Sequence, residues 1–584
     1  MFKMYGRNYD LINRKFREFF LPTLLMSMST NISMVVDSLI VSFLIGAINI
    51  SAIQVVAPVL TFINLLYWMV GFGGSLISST AKSDHDEEKG NMYFTIAFIS
   101  LIVLGVLFAL VCFLNMDFLI NLLCNAESIT PLVKDYFAAY IIGIPFIFII
   151  MGLSYFVRVD GKPNMAFQAL LLANIVNLIL DFVYIGVFNM GIFGAGLATS
   201  TGFIVGTLYL MRYFFMDERT MKIVGLAKYK ISTIFSHLKD IVVLGFSSSS
   251  LQLFLTINLL VFNNVIGSLM GSSGFAAFGI CRNLLFILFI FLIGTAQSMS
   301  PIVSIYYNEE DYNTVTHLMK QSFKIVLASS LVMSLIFVAY PQLAVIMYSV
   351  KEGVDVNVVL TAVRLYALSY VGNAITFLMM FYMQSIKRNS FALLISVLEG
   401  LILPIGLIYP MVTLFGPSSI WLCFVTAEII TIICIWITAK FISKRSGGEY
   451  KGLLLIKDNS LKDQYEFSLD ASIDDVVTFV RDMSKIFDGI LDERSVNLLS
   501  LAVEDMLGYI IQNNDDLKSI DFIVNITDEN VVLSIKDEGK EFNPTVIDDE
   551  DEFSNIAILN KIADKIDYAR VIGLNSTVIT LNRQ

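Results

Sequence analysis

Asp37, Asn177 and Asp181 are polar side chains set where apolar helices leave them no water. Asp181 closes the run LLLANIVNLILD, Asn177 lies four residues earlier, and Asp37 falls far away inside SMVVDSLIVSFLIG. The i, i+4 spacing puts Asn177 and Asp181 on one helical face. An Asp at the middle of a bilayer costs roughly 2.5–3.5 kcal/mol even on a lenient insertion scale. Such groups are tolerable when they converge on a cavity, an ion or each other. Two carboxylates brought together share one proton more readily than they hold two negative charges. The chemistry on offer is reversible capture of a proton or a small cation inside a membrane, which ion-coupled transport requires.

The elements that must position these groups are long apolar helices. The 584 residues have a mean hydropathy of +0.74, with 56% hydrophobic and 15% charged side chains. Twelve apolar runs of membrane-spanning length can be drawn, at about 18–46, 51–80, 92–114, 132–157, 165–188, 192–215, 240–266, 273–303, 321–348, 358–385, 391–415 and 418–442. The first run is too long for a cleavable signal and follows a basic leader, so it is expected to be the first span. That leader holds Lys3, Arg7, Arg14, Lys15 and Arg17, and every second loop is basic while the alternate loops are nearly free of Lys and Arg. The asymmetry predicts a multi-pass plasma-membrane protein with both termini cytoplasmic. The net charge of −11 hides a split: after residue 450 there are 27 acids against 13 bases, or −14, leaving the membrane part at +3. An acidic tail argues against nucleic acid or anionic lipid as its partner. The five cysteines lie in or beside spans without metal spacing, and the three histidines fall in cytoplasmic loops. Proton chemistry inside the membrane would then rest on carboxylates.

The basic loop 212–239 divides the spans into two sets of six. RVDGKPNMAFQALLLANIVNLILDFVYIG in the first half and QSIKRNSFALLISVLEGLILPIGLIYP in the second suggest an internal repeat, with a substrate path between the halves. The expected organisation is a lobe over 1–217, a second lobe over 218–446, a linker over 447–460 and a cytoplasmic α/β domain over 461–584. In that domain YEFSL, DFIVNI, NVVLSIK, ARVI and STVITL read as strands. IDDVVTFVRDMSKIF, ERSVNLLSLAVEDMLGYIIQ and FSNIAILNKIADKI read as helices. The second lobe has its own membrane acids, Glu399 and Glu428, and a base, Arg282. These three line a cavity or hold helices together; Arg282 either pairs with a buried acid or snorkels.

The membrane part resembles the multidrug and toxic compound extrusion (MATE) transporters over nearly its whole length. The resemblance rests on VDSLIVSFLIG, YFVRVDGKPNMA, NIVNLILDFVYIG, GIFGAGLATSTG and TAQSMSPIVS, in that order within twelve spans. It implies an all-α fold of two six-helix lobes and a cation site in the first lobe at Asp37, Asn177, Asp181 and Thr199, with the Ala195 carbonyl beside it. Two carboxylates, an amide oxygen and a hydroxyl form an all-oxygen set suited to Na⁺ or to a proton relay. Some members place essential acids on the seventh and tenth helices, whose apolar stretches here hold none, so coupling is expected in the first lobe. The alternative reading of Asn177 and Thr199 is glue between helices, and of the two Asp residues a structural pair.

The tail resembles the ATP-binding fold of histidine kinases and anti-sigma-factor serine kinases, through LLSLAVEDMLGYIIQ, DEGKEFNP and LNKIADKIDY followed by STVITL. The resemblance carries a base role to Glu504 and adenine recognition to Asp537 with Gly539. The metal-binding Asn of that family is Gly508 here, a motif glycine is Glu541, and the phosphate lid has become SNIA after the acidic run DDEDE. Acids facing a triphosphate are electrostatically wrong. The tail is therefore expected to be a degenerate, non-catalytic relative, with vestigial nucleotide contacts at most.

Together these readings predict no enzyme and no cofactor, but a secondary exporter of amphipathic, cationic organic compounds. It would exchange them for H⁺ or Na⁺ by alternating access. Its partners would be membrane lipid, a small organic substrate and a cytoplasmic protein docking on a regulatory tail. Two other readings stay open: a flippase for lipid-linked saccharides, and a membrane sensor with an active nucleotide-binding tail.

Overall fold

The computed structural model describes residues 5–583 apart from 84–85, 125, 217–218, 352, 458–462, 515–516, 528, 542, 545–554 and 572. The acidic run at 548–552 and the start of the expected phosphate lid lie outside the described residues. The chain divides into two compact units. One comprises Met1–Thr23, Gln297–Gln321 and Trp436–Gln584; the other comprises Leu24–Ala296 and Ser322–Ile435.

Among the described residues ten helices are long and apolar enough to cross a membrane, or eleven if the bent pair Val356–Ala367 and Tyr370–Ser385 is one span. In chain order they begin with α1 (Asp10–Ile45), α2 (Ile48–Ser83), α3 (Glu87–Leu114), α4 (Thr130–Val159), α5 (Pro163–Asp181) and α6 (Gly191–Leu210). Then come α7 (Ile231–Asn308), α8 (Tyr312–Ala339), the bent pair α9 (Val356–Ala367) and α10 (Tyr370–Ser385), α11 (Asn389–Val397) and α12 (Leu403–Phe415), which together make one span, and α13 (Leu422–Arg445). Helix α7 is 78 residues long because two spans run into one another; Gly271, at φ +57° and ψ −144°, breaks it where the sequence placed the boundary between the seventh and eighth runs. Only glycine takes that conformation at little cost.

Close helix crossings in the larger unit depend on residues without side-chain bulk. A Cβ on Gly202 of α6 would stand 2.5 Å from the Ala173 carbonyl oxygen of α5, and one on Gly206 2.8 Å from that of Ala169. Hydrocarbon tails are as apolar as leucine, so close backbone packing must supply much of the association. Here it fixes α6 against α5.

The smaller unit holds a five-stranded antiparallel sheet. A two-residue hairpin comes first, β1 (Tyr450–Lys451) with β2 (Ile456–Lys457). The segment expected as plain linker thus carries structure, because Gly452 (φ +69°) allows the reversal. The sheet proper is β3 (Asp463–Asp470), β4 (Ser519–Ile526), β5 (Asn530–Asp537), β6 (Lys565–Val571) and β7 (Leu574–Asn582), in the order β3-β4-β5-β7-β6. Helices α14 (Ile473–Ile486) and α15 (Glu493–Gln512) supply the other layer. Val476, Phe479, Met483 and Ile486 recur at helical spacing and are buried with Leu499, Val503, Met506 and Ile510 against Phe467, Phe522 and Ile535 of the sheet. Asp492 caps α15 by accepting from the Ser495 amide at 3.1 Å. A third helix, α16 (Asn555–Ile562), stops earlier than its sequence predicts. Lys565 to Val571 alternate as an edge strand paired with β7, and that pairing outweighs the helical reading of KIADKI.

Candidate ion-coupling site

The side chains named from sequence in the first half do converge. Asp181 is fully buried, as the last α-helical residue of α5 before a π-helical stretch over Phe182–Val187. Such wide turns often mark functional sites because they break the i, i+4 ladder and free a side chain's direction. The Asn177 amide nitrogen donates to Asp181 Oδ2 and to Thr199 Oγ1, each at 3.3 Å. The Thr199 hydroxyl in turn donates to the Ala195 carbonyl at 3.0 Å, so that carbonyl is engaged within α6. From α1, Asp37 lies close to both Asp181 and Asn177. Asp37 Oδ1 and Asp181 Oδ1 are buried without a hydrogen-bond partner. A buried carboxylate oxygen left bare is costly. The pair is therefore built to accept something: a proton bridging the two, or a hard cation. Gly202, one turn after Thr199, is what lets the hydroxyl reach Asn177; its Cβ would lie 3.1 Å from that of Asn177.

The second half brings together a set that the sequence reading only partly named. Glu399 lies in another π-helical stretch, Leu398–Ile402, and Glu428 is on α13 with 5% exposure. One amide group, Asn373 Nδ2 on α10, donates to Glu399 Oε1 at 2.8 Å and to Glu428 Oε1 at 3.1 Å. Thr376 Oγ1 donates to Glu428 Oε2 at 2.8 Å. Gly372 permits the contact, since a Cβ there would meet that of Glu428 at 2.5 Å. Neither charge nor hydropathy marks Asn373 and Thr376, an amide and a hydroxyl in an apolar run. Their i, i+3 spacing in an apolar run was the available signal. Among the described residues Arg282 pairs with no buried acid. Its guanidinium donates to Gln54 Oε1 at 3.2 Å, and Gln54 in turn donates to Asn263 at 2.9 Å.

A family model for MatE matches residues 22–183 and again residues 249–409, together more than half of the chain. The chain belongs to the MatE family. A curated relative, multidrug export protein MepA of Staphylococcus haemolyticus (strain JCSC1435), is 22% identical over 428 residues, covering 72% of this chain and 91% of the relative. MepA of Staphylococcus aureus (strain NCTC 8325 / PS 47) is 22% identical over 418 residues, covering 70% and 89%. Among solved structures, the inward-facing conformation of a multidrug resistance MATE family transporter of the MOP superfamily aligns with a TM-score of 0.65 at 20% identity, covering 73% of this chain and 98% of that one. An outward-facing conformation of a transporter of the same description aligns at 0.56 with 19% identity, covering 74% and 96%. The MatE fold thus accounts for the membrane helices, and both matched segments end before the tail begins.

The tail of this MatE protein carries the residues named from sequence on separate elements. Glu504 is exposed on α15. Asp537, 1% exposed at the end of β5, has Oδ1 occupied by the Gly539 amide and by Asn575 Nδ2, both at 2.8 Å. Asp537 Oδ2 is buried without a partner. Burial pushes this carboxyl above its ordinary range, against the pull of the Asn575 and Gly539 bonds. Gly539 cannot carry a side chain, since a Cβ would stand 2.7 Å from the Asn514 amide group. Asn514 Oδ1 is itself held by the Lys540 amide at 2.6 Å. Asp537 and Gly539 therefore close a strand-ending turn, with one carboxylate oxygen spent on the turn itself.

Proposed function

We propose that the chain is a multi-pass exporter of amphipathic organic compounds, driven by exchange for H⁺ or Na⁺ at Asp37, Asn177, Asp181 and Thr199. Twelve spans in two lobes of six, with both termini cytoplasmic, would alternate access to a path between the lobes. The observation that carries the reading is the pair of orphaned oxygens, Asp37 Oδ1 and Asp181 Oδ1, buried among an amide and a hydroxyl. A purely structural pair would be expected to satisfy itself. Occupancy of the pair biases one access state, and the ion contributes only its differential affinity for the two states. The printed names of the relatives, multidrug export proteins, support the export of varied organic compounds.

The tail acts in this reading as a regulatory module, a non-catalytic relative of the histidine-kinase-like ATPase fold. Its support is an ion-pair cluster inside the smaller unit. Arg7 of the leader, 2% exposed, contacts Asp311 at 2.7 Å, Asp521 at 3.3 Å and Glu466 at 3.7 Å. Lys536 of β5 pairs with Glu309 and lies 3.4 Å from the Tyr306 ring centre. Leader, segment 306–311 and tail thus belong to one compact unit, and a regulatory signal would pass along the chain from the leader into α1.

The test is efflux of a fluorescent organic cation from proteoliposomes under imposed H⁺ or Na⁺ gradients. Wild type should export with one gradient, and Asp181→Asn should fall to the leak of protein-free vesicles. Export by Asp181→Asn at the wild-type rate would remove the site assignment.

A further inference from the structure

A cavity of about 270 Å³ in the larger unit is lined by apolar rings, Phe278, Phe289, Phe377 and Phe424 among them, and by charges of both signs. Arg282 stands in its wall, and so do Glu399, Glu428 and Asn373. The guanidinium has five N–H donors. Its hydrogen-bond partner is the neutral Gln54, and no carboxylate among the described residues pairs with it. Arg282 is half-buried, and a cation held partly out of water without an anion is costly until a ligand supplies one. Across the same cavity the acids are under-supplied in the opposite sense. Glu399 accepts from an amide group that also serves Glu428, Glu428 accepts in addition from Thr376, and Asn373 Oδ1 is buried without a partner.

We propose that this cavity selects amphipathic zwitterions, with a ligand carboxylate seated on Arg282 and a ligand ammonium on Glu399 and the Asn373 carbonyl oxygen. The proposal rests on the exporter reading above and narrows its substrate from cations to molecules that carry both charges. The charge balance drives the argument. Charges of both signs stand in the walls of one cavity, so a ligand that carries only one sign leaves the opposite wall charge uncompensated in a low-dielectric space. A lipophilic cation meets Arg282, and a lipophilic anion meets the glutamates. A zwitterion matches both ends, while the rings bury its apolar body. Glu399 lies in the π-helical stretch Leu398–Ile402, and Ser396, Gly400 and Pro404 of the same segment also line the cavity.

The experiment uses the full chain and three matched fluorescent probes: Nα-dansyl-lysine (zwitterion), its methyl ester (cation) and dansyl-norleucine (anion). Binding is read from dansyl fluorescence in detergent, and export from proteoliposomes under the driving gradient. Wild type should bind the zwitterion at least about tenfold more tightly than either relative, which corresponds to about 1.4 kcal/mol. Arg282→Gln should bring zwitterion and ester to parity, and Glu399→Gln should bring zwitterion and dansyl-norleucine to parity. Equal binding of zwitterion and ester by wild type overturns the proposal, as does an equal loss for all three probes in a well-folded Arg282→Gln. Because binding is read without a gradient, zwitterion selectivity without gradient-driven export would sink the exporter reading and leave the selectivity standing.

Discussion

Asp37 and Asp181 differ from most buried acids in what surrounds them among the described residues: an amide and a hydroxyl, no paired arginine or lysine, and two oxygens left bare. That environment makes the pair sensitive to neutralisation. Asp37→Asn and Asp181→Asn should each abolish gradient-driven export while leaving expression intact. Thr199→Ala, which removes one neutral contact, should slow export without uncoupling it, a split that initial rates against gradient size will read. The tail acid behaves otherwise. Asp537 is a turn hub, so Asp537→Ala should cost the tail about 1–3 kcal/mol, the usual penalty for stripping partners from buried donors. Thermal unfolding of the full chain should show an earlier tail transition. Asp37 and Asp181 are legible in sequence because charge in an apolar run is a loud signal, Asn177 by its helical spacing from Asp181, and Thr199 and Ala195 only through the MATE resemblance. Asn373 and Thr376 are not, since amides and hydroxyls in spans are common as helix glue.

At the scale of elements, the site depends on how closely α5 and α6 lie. Gly202 meets the Ala173 carbonyl at a distance that no side chain tolerates, and the same contact carries Thr199 to Asn177. Gly202→Val should push the helices apart, cost about 1–3 kcal/mol through overpacking, and reduce coupling more than Thr199→Ala does. Measured export equal to wild type would show that the Thr199–Asn177 contact is dispensable. Hydropathy revealed the helices, and Gly271 fell at the boundary between two expected spans. It gave no sign of the two π-helical stretches at Asp181 and Glu399, because those arise from packing against neighbours rather than from local propensity. The end of α16 was misread for a related reason, as β6 is a strand only because β7 is there to pair with it.

For the whole molecule, the sequence showed Arg7 and Arg14 as basic loop residues that orient the chain. The fold gives both to the tail as well, Arg7 to Asp521 and Glu466, Arg14 to Glu538 at 2.9 Å. Such pairing joins segments hundreds of residues apart, and no local pattern announces it. Arg7→Glu should destabilise this assembly by about 3–5 kcal/mol, the range for breaking a buried pair. It would show as faster proteolysis near residues 451–463, with Arg7→Asp/Asp521→Arg recovering part of the loss. Burial and the neighbouring Asp311 push the Glu466 carboxyl above its ordinary value of 4.5, outweighing Arg7. The assembled state then binds that proton more tightly than a released tail does. Assembly strengthens as pH falls through the raised value, and gains nothing further from this group below 4.5. Protease resistance that stays flat from pH 7.5 to 5 would contradict that sign.

The central claim is that organic export and ion entry are one cycle run through Asp37 and Asp181. Its most direct measurement loads proteoliposomes with a transported compound and follows ion entry with a trapped pH dye or with labelled sodium, no ion gradient being imposed. The account predicts that outward flow of the compound draws one of the two ions inward in wild type, and in neither Asp37→Asn nor Asp181→Asn. Export from wild type with no ion entry, or ion entry that persists in both variants, would contradict it.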